Sequence, residues 1–265
     1  MGEVREARPE DAGGIVEALR AGMPARAVPY TIFGGSGIDR FVSEAVGGAP
    51  RGLGRFWVWE AGGRVDGFAE LRREGERLFL NHVYVHPRAQ DRGAGRALLR
   101  AALAASAAGA EELELEVFSG NARAIGWYRT LGLQPVGAAG WWLVPWPPDR
   151  PRVAGWRAVG LGEAAAAHAR YGFSRFALED GSGRRFTLGR LGARALRTLE
   201  PGLVQAPGAL AALAALGLAE RLLCIAPGPA PSSQATLLIE ALRMRGPAVY
   251  ALARCSPAAG ERPVA

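Results

Sequence analysis

The chain has 265 residues, of which 49% are apolar, enough for one large domain or two ordinary ones. Its net charge of +7 comes from arginine alone, because all 32 Lys+Arg positions are arginine. These arginines are spread along the chain and alternate with acids, whereas a nucleic-acid surface requires a basic cluster, so nucleic-acid binding is not expected. The sequence also lacks an apolar run of about 18 residues, so no membrane-spanning segment is expected.

The start of the chain and the cysteine content indicate a compartment. The first twenty residues carry acids early and contain no compact apolar core before a small-residue cleavage site, so a secretory signal is not expected. Cys224 and Cys255 are too few for a disulfide framework, and neither has neighbours of the metal-ligand type. These features favour a reducing cytoplasm, and no metal site is expected.

The first half of the chain alternates helical and strand patterns. Two helices come first, one after Asp11 and one within GGSGIDRFVSEAVGG. A hairpin with a turn at Gly62 and Gly63 follows, and then a strand that is closed by Pro87. An Ala/Leu-rich helix, the strand EELELEVF, a helix stopped at Gly132 and the strand QPVGAAGWWLV complete the order. This pattern predicts an α/β fold with a mixed β-sheet flanked by helices.

A proline-rich stretch, VPWPPDRPRVAGW, divides the chain into predicted domains at residues 1–148 and 149–265. The second half repeats the order of elements at an offset of 111 residues. SRFALEDGSGRRFTLGRL is predicted as its hairpin, PGALAALAALGLAER as a helix, and RLLCIAPGPAPSSQATLLIEALRMRGPAVYAL as strand, helix and strand. In this copy Ile239 stands opposite Tyr128. The second half is therefore predicted to be a smaller, degenerate copy.

The stretch QDRGAGR, residues 90–96, leads from a strand end into a helix. A helix start exposes unpaired backbone N–H groups, and the helix dipole favours negative charge there. Gly93 and Gly95 let an anion approach the backbone closely, and Arg92 and Arg96 add forked donors. It is not a P-loop, because no Gly-Lys-Ser/Thr follows, and the Rossmann spacing is also missing. The stretch therefore predicts a phosphate-binding turn.

Val85-x-Pro87 followed by Gln90-x-x-Gly93-x-Gly95 resembles the acetyl-CoA pyrophosphate loop of the GNAT superfamily of N-acetyltransferases. About 30 residues later, LEVFSGNARAIGWYRTLGL resembles the second signature of that family. The resemblance covers residues 3 to about 145. It implies a GNAT fold with a second, smaller GNAT-like α/β domain, and the transfer of an acetyl group from acetyl-CoA to an amine by direct attack in a ternary complex.

The resemblance also implies which residues contact the cofactor, namely two valines at the strand end, the turn, and an asparagine before the later helix. They are Val83, Val85, Gln90, Asp91, Arg92, Gly93, Ala94, Gly95, Arg96 and Asn121. Asn121 also suits the cap of the helix that it precedes. Asp91 departs from the family, which often has glycine there. Its carboxylate is expected to cap the helix and repel phosphate oxygens, so that pyrophosphate binding is weakened or Arg92 and Arg96 compensate.

Tyr128 is expected to be the acid that protonates the departing thiolate, and a backbone N–H near Val85 the donor to the oxyanion, both by resemblance to the family. Glu116 lies twelve residues before Tyr128, where one branch of the family has its base. Glu116 and Glu114 share one face of a predicted strand, which is costly unless they face a wet cleft or have partners.

Glu70, His82 and a water molecule are rivals of Glu116 for the role of base. In a regular strand His82 lies on the opposite face from Val83 and Val85, although a bulge can change this. Two alternative functions also remain: a non-catalytic acyl-CoA-binding or regulatory module, which the Asp91 departure supports, and a basic nucleic-acid-associated protein with a retired acetyltransferase fold. The sequence leaves the identity of the amine acceptor open, and it allows a monomer or a homodimer.

Overall fold

The computed structural model describes residues 2–48, 54–106, 108–148 and 153–255. The strands within these ranges are β1 (Glu3–Glu6), β2 (Arg55–Ala61), β3 (Arg64–Glu74), β4 (Arg77–Val85), β5 (Glu112–Phe118), β6 (Gln134–Val144), β7 (Trp156–Val159), β8 (Phe173–Asp180), β9 (Arg185–Leu191), β10 (Ala195–Thr198), β11 (Arg221–Ala226) and β12 (Thr236–Pro247). The α-helices there are α1 (Ala12–Gly22), α2 (Ile38–Val46), α3 (Ala94–Ser106), α4 (Ala122–Thr130), α5 (Leu161–Tyr171), α6 (Gly202–Gln205), α7 (Ala209–Ala215) and α8 (Ala248–Cys255). The predicted mixed α/β architecture is confirmed.

The described residues form two compact units. The first lies within Met1–Gly22, Val42–Gly137 and Leu242–Ala265. Its strands run in the order β1-β2-β3-β4-β5, with the part of β12 from Leu242 next to β5. Strands β1 to β4 are antiparallel, and β4 and β5 are parallel. On one face of these strands, α3, α4 and α8 bury their apolar sides in a common core.

A bulge in β4 changes which side chains face this core. The pairing of β4 with β3 skips one residue at Asn81. Leu80 and Val83 therefore both reach the core, although a regular strand would turn them to opposite faces. His82 and Tyr84 consequently lie on the other face, which they share with Glu114 and Glu116.

The parallel pair of β4 and β5 opens along its length. The paired residues run from Arg77↔Glu112 to Leu80↔Leu115. Both strands continue beyond the last pair, β4 to Val85 and β5 to Phe118. The two strand ends therefore part, which frees backbone groups on both edges to meet a ligand. We call this opening the β4–β5 split.

The second unit lies within Met23–Phe41 and Ala138–Ala241. Its strands include the order β6-β11-β10-β9-β8-β7. Here the parallel pair is β10 and β11, and it is joined along the whole of β10, from Ala195↔Arg221 to Thr198↔Cys224. β10 ends at its last paired residue, whereas β4 continues beyond its last pair with β5. The degeneracy of the second copy stays a prediction.

The second half confirms the predicted hairpin, as β8 and β9, and the Ala/Leu-rich helix, as α7. The prediction of a helix followed by a strand after β11 is wrong, because this segment forms the strand β12 and then the helix α8. Ile239 therefore lies on a strand and is no helical counterpart of Tyr128. Ile239 and Ala241 are buried while Glu240 between them is exposed, so sheet packing overrides the helical propensity of the segment.

The linker on which the predicted domain boundary rests includes residues 149–152, which lie outside the described residues. The division at residues 148 and 149 stays a prediction, while the two compact units are built from discontinuous segments. None of the helices in the described ranges combines the length and apolar character needed to span a bilayer.

Candidate active site

The start of α3 presents a row of unpaired backbone donors. Its first helical hydrogen bond runs from the N–H of Ala97 to the carbonyl oxygen of Gly93, at 3.0 Å. The N–H groups of Ala94, Gly95 and Arg96 therefore have no carbonyl one turn earlier in the helix. Gly93 has a φ of +76°, a left-handed conformation that glycine adopts without strain. The predicted turn at the helix start is confirmed.

The two glycines of this turn leave space beside the helix start. A Cβ atom built on Gly93 would meet nothing within 4 Å, and one built on Gly95 would lie 3.7 Å from Val85 and 3.8 Å from Trp127. Arg92 and Arg96, which flank Gly93 and Gly95 in the sequence, are exposed. Backbone donors at a helix start, with arginines at neighbouring positions, suit the pyrophosphate of CoA.

The negative charge of Asp91 is balanced within the protein. Its φ of +63° places it in the left-handed region, which aspartate tolerates better than most residues, and its carboxylate forms an ion pair with Arg123 of α4. Arg123 also donates to Gln90 at 3.4 Å, and Gln90 donates to the carbonyl oxygen of Val85 at 3.0 Å. Arg123 is a partner that sequence reasoning missed, and it offsets the repulsion expected between Asp91 and phosphate oxygens.

Asn121 begins α4 and confirms the predicted cap, because its side chain accepts a hydrogen bond from the N–H of Ala124 at 3.1 Å. Tyr128, two turns later, is only 6% exposed and packs on Trp127 with 5.1 Å between ring centroids. Burial and the nearby Tyr84 raise the pKa of Tyr128 above its ordinary value. The phenol therefore stays protonated at neutral pH, as a proton donor must.

Tyr84 lies on the part of β4 that has left β5, and burial raises the pKa of its phenol to about 12. It points away from the core that contains Tyr128, and yet the two phenols are close enough to affect each other's ionisation. Tyr84 is therefore a second phenol on the strand that borders the β4–β5 split.

Glu70 and His82, the two rival bases, are joined. His82 Nδ1 lies 2.8 Å from Glu70 Oε2, and Asn81 donates to the same oxygen at 2.9 Å. Glu70 is only 3% exposed. Burial by itself raises the pKa of Glu70, but the hydrogen bonds from His82, Asn81 and the Gly54 N–H outweigh it and leave the pKa below its usual value. The sequence could not show that Glu70 and His82 are paired, because the bulge in β4 determines which residues of β3 and β4 lie opposite each other.

We expect Glu70→Gln to lower the free energy of unfolding by about 1–3 kcal/mol at pH 7, because it leaves buried donors with a weaker partner. The depressed pKa means that Glu70 contributes stability above the unfolded-state pKa of about 4.5 and loses it as the pH falls through the folded-state value. The difference between variant and wild type should therefore shrink below about pH 4.5. Urea unfolding at pH 7 and pH 4 measures the difference in unfolding free energy between Glu70→Gln and the wild type. A difference that is larger at pH 4 than at pH 7 contradicts the prediction.

The exposed Glu74 at the end of the same strand provides the matched control for this test. Its ion pair with Arg72 lies at the surface, where such pairs contribute about 0–1 kcal/mol. Glu74→Gln should therefore leave the unfolding free energy within about 0.5 kcal/mol of the wild type at both pH values.

Glu114 and Glu116 both have arginine partners on β12, within the first unit. Glu114 is 4% exposed and accepts from Arg245 at 2.7 Å. Glu116 is partly exposed and accepts from Arg243 at 2.8 Å. The buried Glu114 is therefore stabilised by its arginine partner and not by a wet cleft. Glu116 has an arginine partner as well, but at an exposed position. Sequence reasoning missed both arginines, because it assigned their alternating spacing, LRMR, to a helix.

Comparison with known proteins agrees with this architecture. Residues 39–133 match the model of the Acetyltransferase (GNAT) family. This match confirms, for this part of the chain, the resemblance to the GNAT acetyltransferase family that its motifs predicted. A search of curated proteins gives no sequence relative.

Three solved structures share the fold of nearly the whole chain. A tandem GNAT protein from the clavulanic acid biosynthesis pathway is 14% identical with a TM-score of 0.60, covering 94% of this chain and 99% of its own. A GCN5-related N-acetyltransferase from Sphaerobacter thermophilus is 15% identical with a TM-score of 0.59, covering 93% and 96%. One from Kribbella flavida is 17% identical with a TM-score of 0.52, covering 92% and 70%. These similarities support the predicted tandem arrangement at the level of fold.

Proposed function

We propose that the first unit is an acetyl-CoA-dependent N-acetyltransferase that acts on an amine by direct attack in a ternary complex. The observation that carries this proposal is the β4–β5 split, beyond which β4 leads within a few residues to the start of α3. The backbone donors at that helix start would bind an anion, and the buried phenol of Tyr128 would supply a proton. The family match covers residues 39–133, nearly all of which belong to the first unit, so we assign the chemistry to that unit.

The turn at residues 90–96 would hold the pyrophosphate through its backbone N–H groups, with Arg92 and Arg96 as additional cations. The parted edge of β4, at Val83 and Val85, would hold the arm of CoA, and Asn121 would lie beside it. Bound acetyl-CoA supplies an activated acetyl thioester: the amine nitrogen bonds to the carbonyl carbon, and the carbon–sulfur bond breaks with its electron pair on sulfur, which then takes a proton.

Three groups of this chain serve that exchange. A backbone N–H near Val85 stabilises the oxyanion that forms at the carbonyl. Tyr128 gives its proton to the departing sulfur. The amine must lose a proton before it attacks, and Glu116, at the edge of the split, is the proposed acceptor. The Glu70–His82 pair on the same face is the rival acceptor.

The alternative of a non-catalytic acyl-CoA-binding module rested on Asp91. The ion pair between Asp91 and Arg123 partly offsets that charge at an exposed position, and the acceptor screen decides between the two functions. We propose that the protein acts in the cytoplasm, in line with the two buried free thiols of Cys224 and Cys255. Its proposed assembly is a monomer or a homodimer. The proposed partner is an amine, and nucleic acid is not part of the proposal.

The experiment that tests the proposal is a screen of amine acceptors that follows release of free CoA thiol from acetyl-CoA. The panel should include small primary amines, amino acids, aminoglycosides and peptides with free N-termini. We expect release that depends on the amine and an acetylated product of the matching mass. Tight CoA binding without amine-dependent release from any member would return the protein to the non-catalytic class.

A further inference from the structure

Six charged side chains form one cluster on the face of β5 that is turned away from the apolar core. They are Glu112, Glu114, Glu116, Arg77, Arg243 and Arg245. Neighbouring members are 2.7 to 3.8 Å apart between nitrogen and oxygen atoms. The three carboxylates and three guanidinium groups balance, so the cluster as a whole is neutral. We call it the β5 charge cluster.

Exposure separates the inner pair of this cluster from the outer pair. The side chain of Glu114 is 5% exposed, and Arg245, which binds it, is 33% exposed. The side chains of Glu116 and Arg243 are 38% and 50% exposed. An ion pair at such an exposed position contributes only about 0–1 kcal/mol, so a ligand that offers better partners can replace it.

The outer pair also lies at the opening of the sheet. The last paired residues of β4 and β5 are Leu80 and Leu115, so Glu116 is the first residue of β5 beyond the ladder. Its partner Arg243 comes from β12 on the other side of β5. An acceptor that approaches a thioester in the β4–β5 split from this face therefore meets a carboxylate and a guanidinium group together.

We propose that the acceptor is zwitterionic, with its amine on a carbon that also carries a carboxylate. Glu116 binds the ammonium group and later accepts its proton, and the planar fork of Arg243 binds the carboxylate. This inference rests on the proposed acetyl transfer and adds the substrate class. A polyamine would place a positive charge next to Arg243, and a polyanion would place a negative charge next to Glu116. A zwitterion replaces the ion pair between Glu116 and Arg243 with two ion pairs, one to each of these residues.

The test compares amino acids with the amines that remain when their carboxylate is removed, such as phenylalanine with phenethylamine and leucine with isoamylamine. For the wild type we expect kcat/KM to favour the carboxylate-bearing member by about tenfold or more, which is the effect of one charge-assisted hydrogen bond of about 1.4 kcal/mol. Arg243→Gln should bring the ratio close to one, chiefly through KM. Arg243→Lys, which keeps the positive charge, should preserve part of the preference for the carboxylate-bearing member.

Arg254→Gln is the matched control, because Arg254 belongs to the same C-terminal segment and bonds to Tyr250 rather than to the β5 charge cluster. This variant should keep the wild-type ratio. Equal kcat/KM within each pair, or a preference for the decarboxylated amine, would overturn the zwitterionic acceptor and leave acetyl transfer standing. CoA thiol release with aminoglycosides or peptides but with neither member of these pairs would likewise overturn the zwitterionic acceptor. If no acceptor of any class in the full panel releases CoA thiol, the proposed function fails and this inference fails with it.

Discussion

Gly93→Val is expected to abolish measurable binding of CoA. Gly93 has a φ of +76°, and a β-branched residue cannot hold this conformation without strain. Relief of this strain would shift the N–H groups of Ala94 and Gly95, which are expected to bind the pyrophosphate, and the added side chain would occupy the open space beside Gly93. Isothermal titration calorimetry with CoA measures the loss.

Gly75→Val separates this effect from backbone strain. Gly75, in the hairpin between β3 and β4, has a φ of +63°, and a Cβ atom built on it would meet nothing within 4 Å, so both variants carry a similar penalty of about 1–2 kcal/mol. The hairpin lies at the other end of β4 from the turn at residues 90–96. Gly75→Val should be destabilised like Gly93→Val and still bind CoA. CoA binding retained by Gly93→Val would show that the cradle lies elsewhere.

Tyr128→Phe is expected to lower kcat by about tenfold to a thousandfold, the range usual for a general acid, and to leave the Kd for CoA nearly unchanged. The reason is that Tyr128 lies in the apolar core, where phenylalanine keeps the ring packing and removes only the hydroxyl group. Its raised pKa keeps that hydroxyl protonated, so the loss of its proton is the main chemical change. Single-turnover release of CoA thiol gives the rate, and calorimetry gives the Kd.

Tyr250→Phe is the matched control for this change. Tyr250 is 43% exposed on α8, and its hydroxyl group accepts hydrogen bonds from Arg254 outside the proposed site. It should retain the wild-type kcat. If Tyr128→Phe also retains it, the departing sulfur takes its proton from another group, and Tyr84 or water becomes the candidate acid.

The local sequence pattern was sufficient to predict most of the secondary structure of the first unit. The strand that stops before Pro87, the glycine turn, the cap at Asn121 and the helix that ends near Gly132 each depend on residues within a few positions of one another. Turn and cap preferences act over that range, so the sequence predicts such elements well. The same reasoning failed for β12 and α8, because their conformation depends on which strands lie beside them.

The partners within the site could not be predicted in the same way. Arg123 meets Asp91 across 32 positions, and Arg243 meets Glu116 across 127. The pairing of Glu70 with His82 depends on a one-residue bulge that no composition or periodicity reveals. Each of these contacts joins side chains from separate elements, and each changes the chemistry that a single motif suggests.

The sequence by itself determined the acetyltransferase motifs of the first half and the glycine turn at a helix start, and the family resemblance made Tyr128 the proposed proton donor. Only the tertiary structure decided that the pairing of β4 with β5 ends at Leu80 and Leu115, and that arginines of β12 bind the glutamates of β5. The physical reason is the distance along the chain over which each interaction acts. Backbone preferences act between near neighbours, whereas the register of strands and the charge balance of a buried face depend on segments that folding brings together.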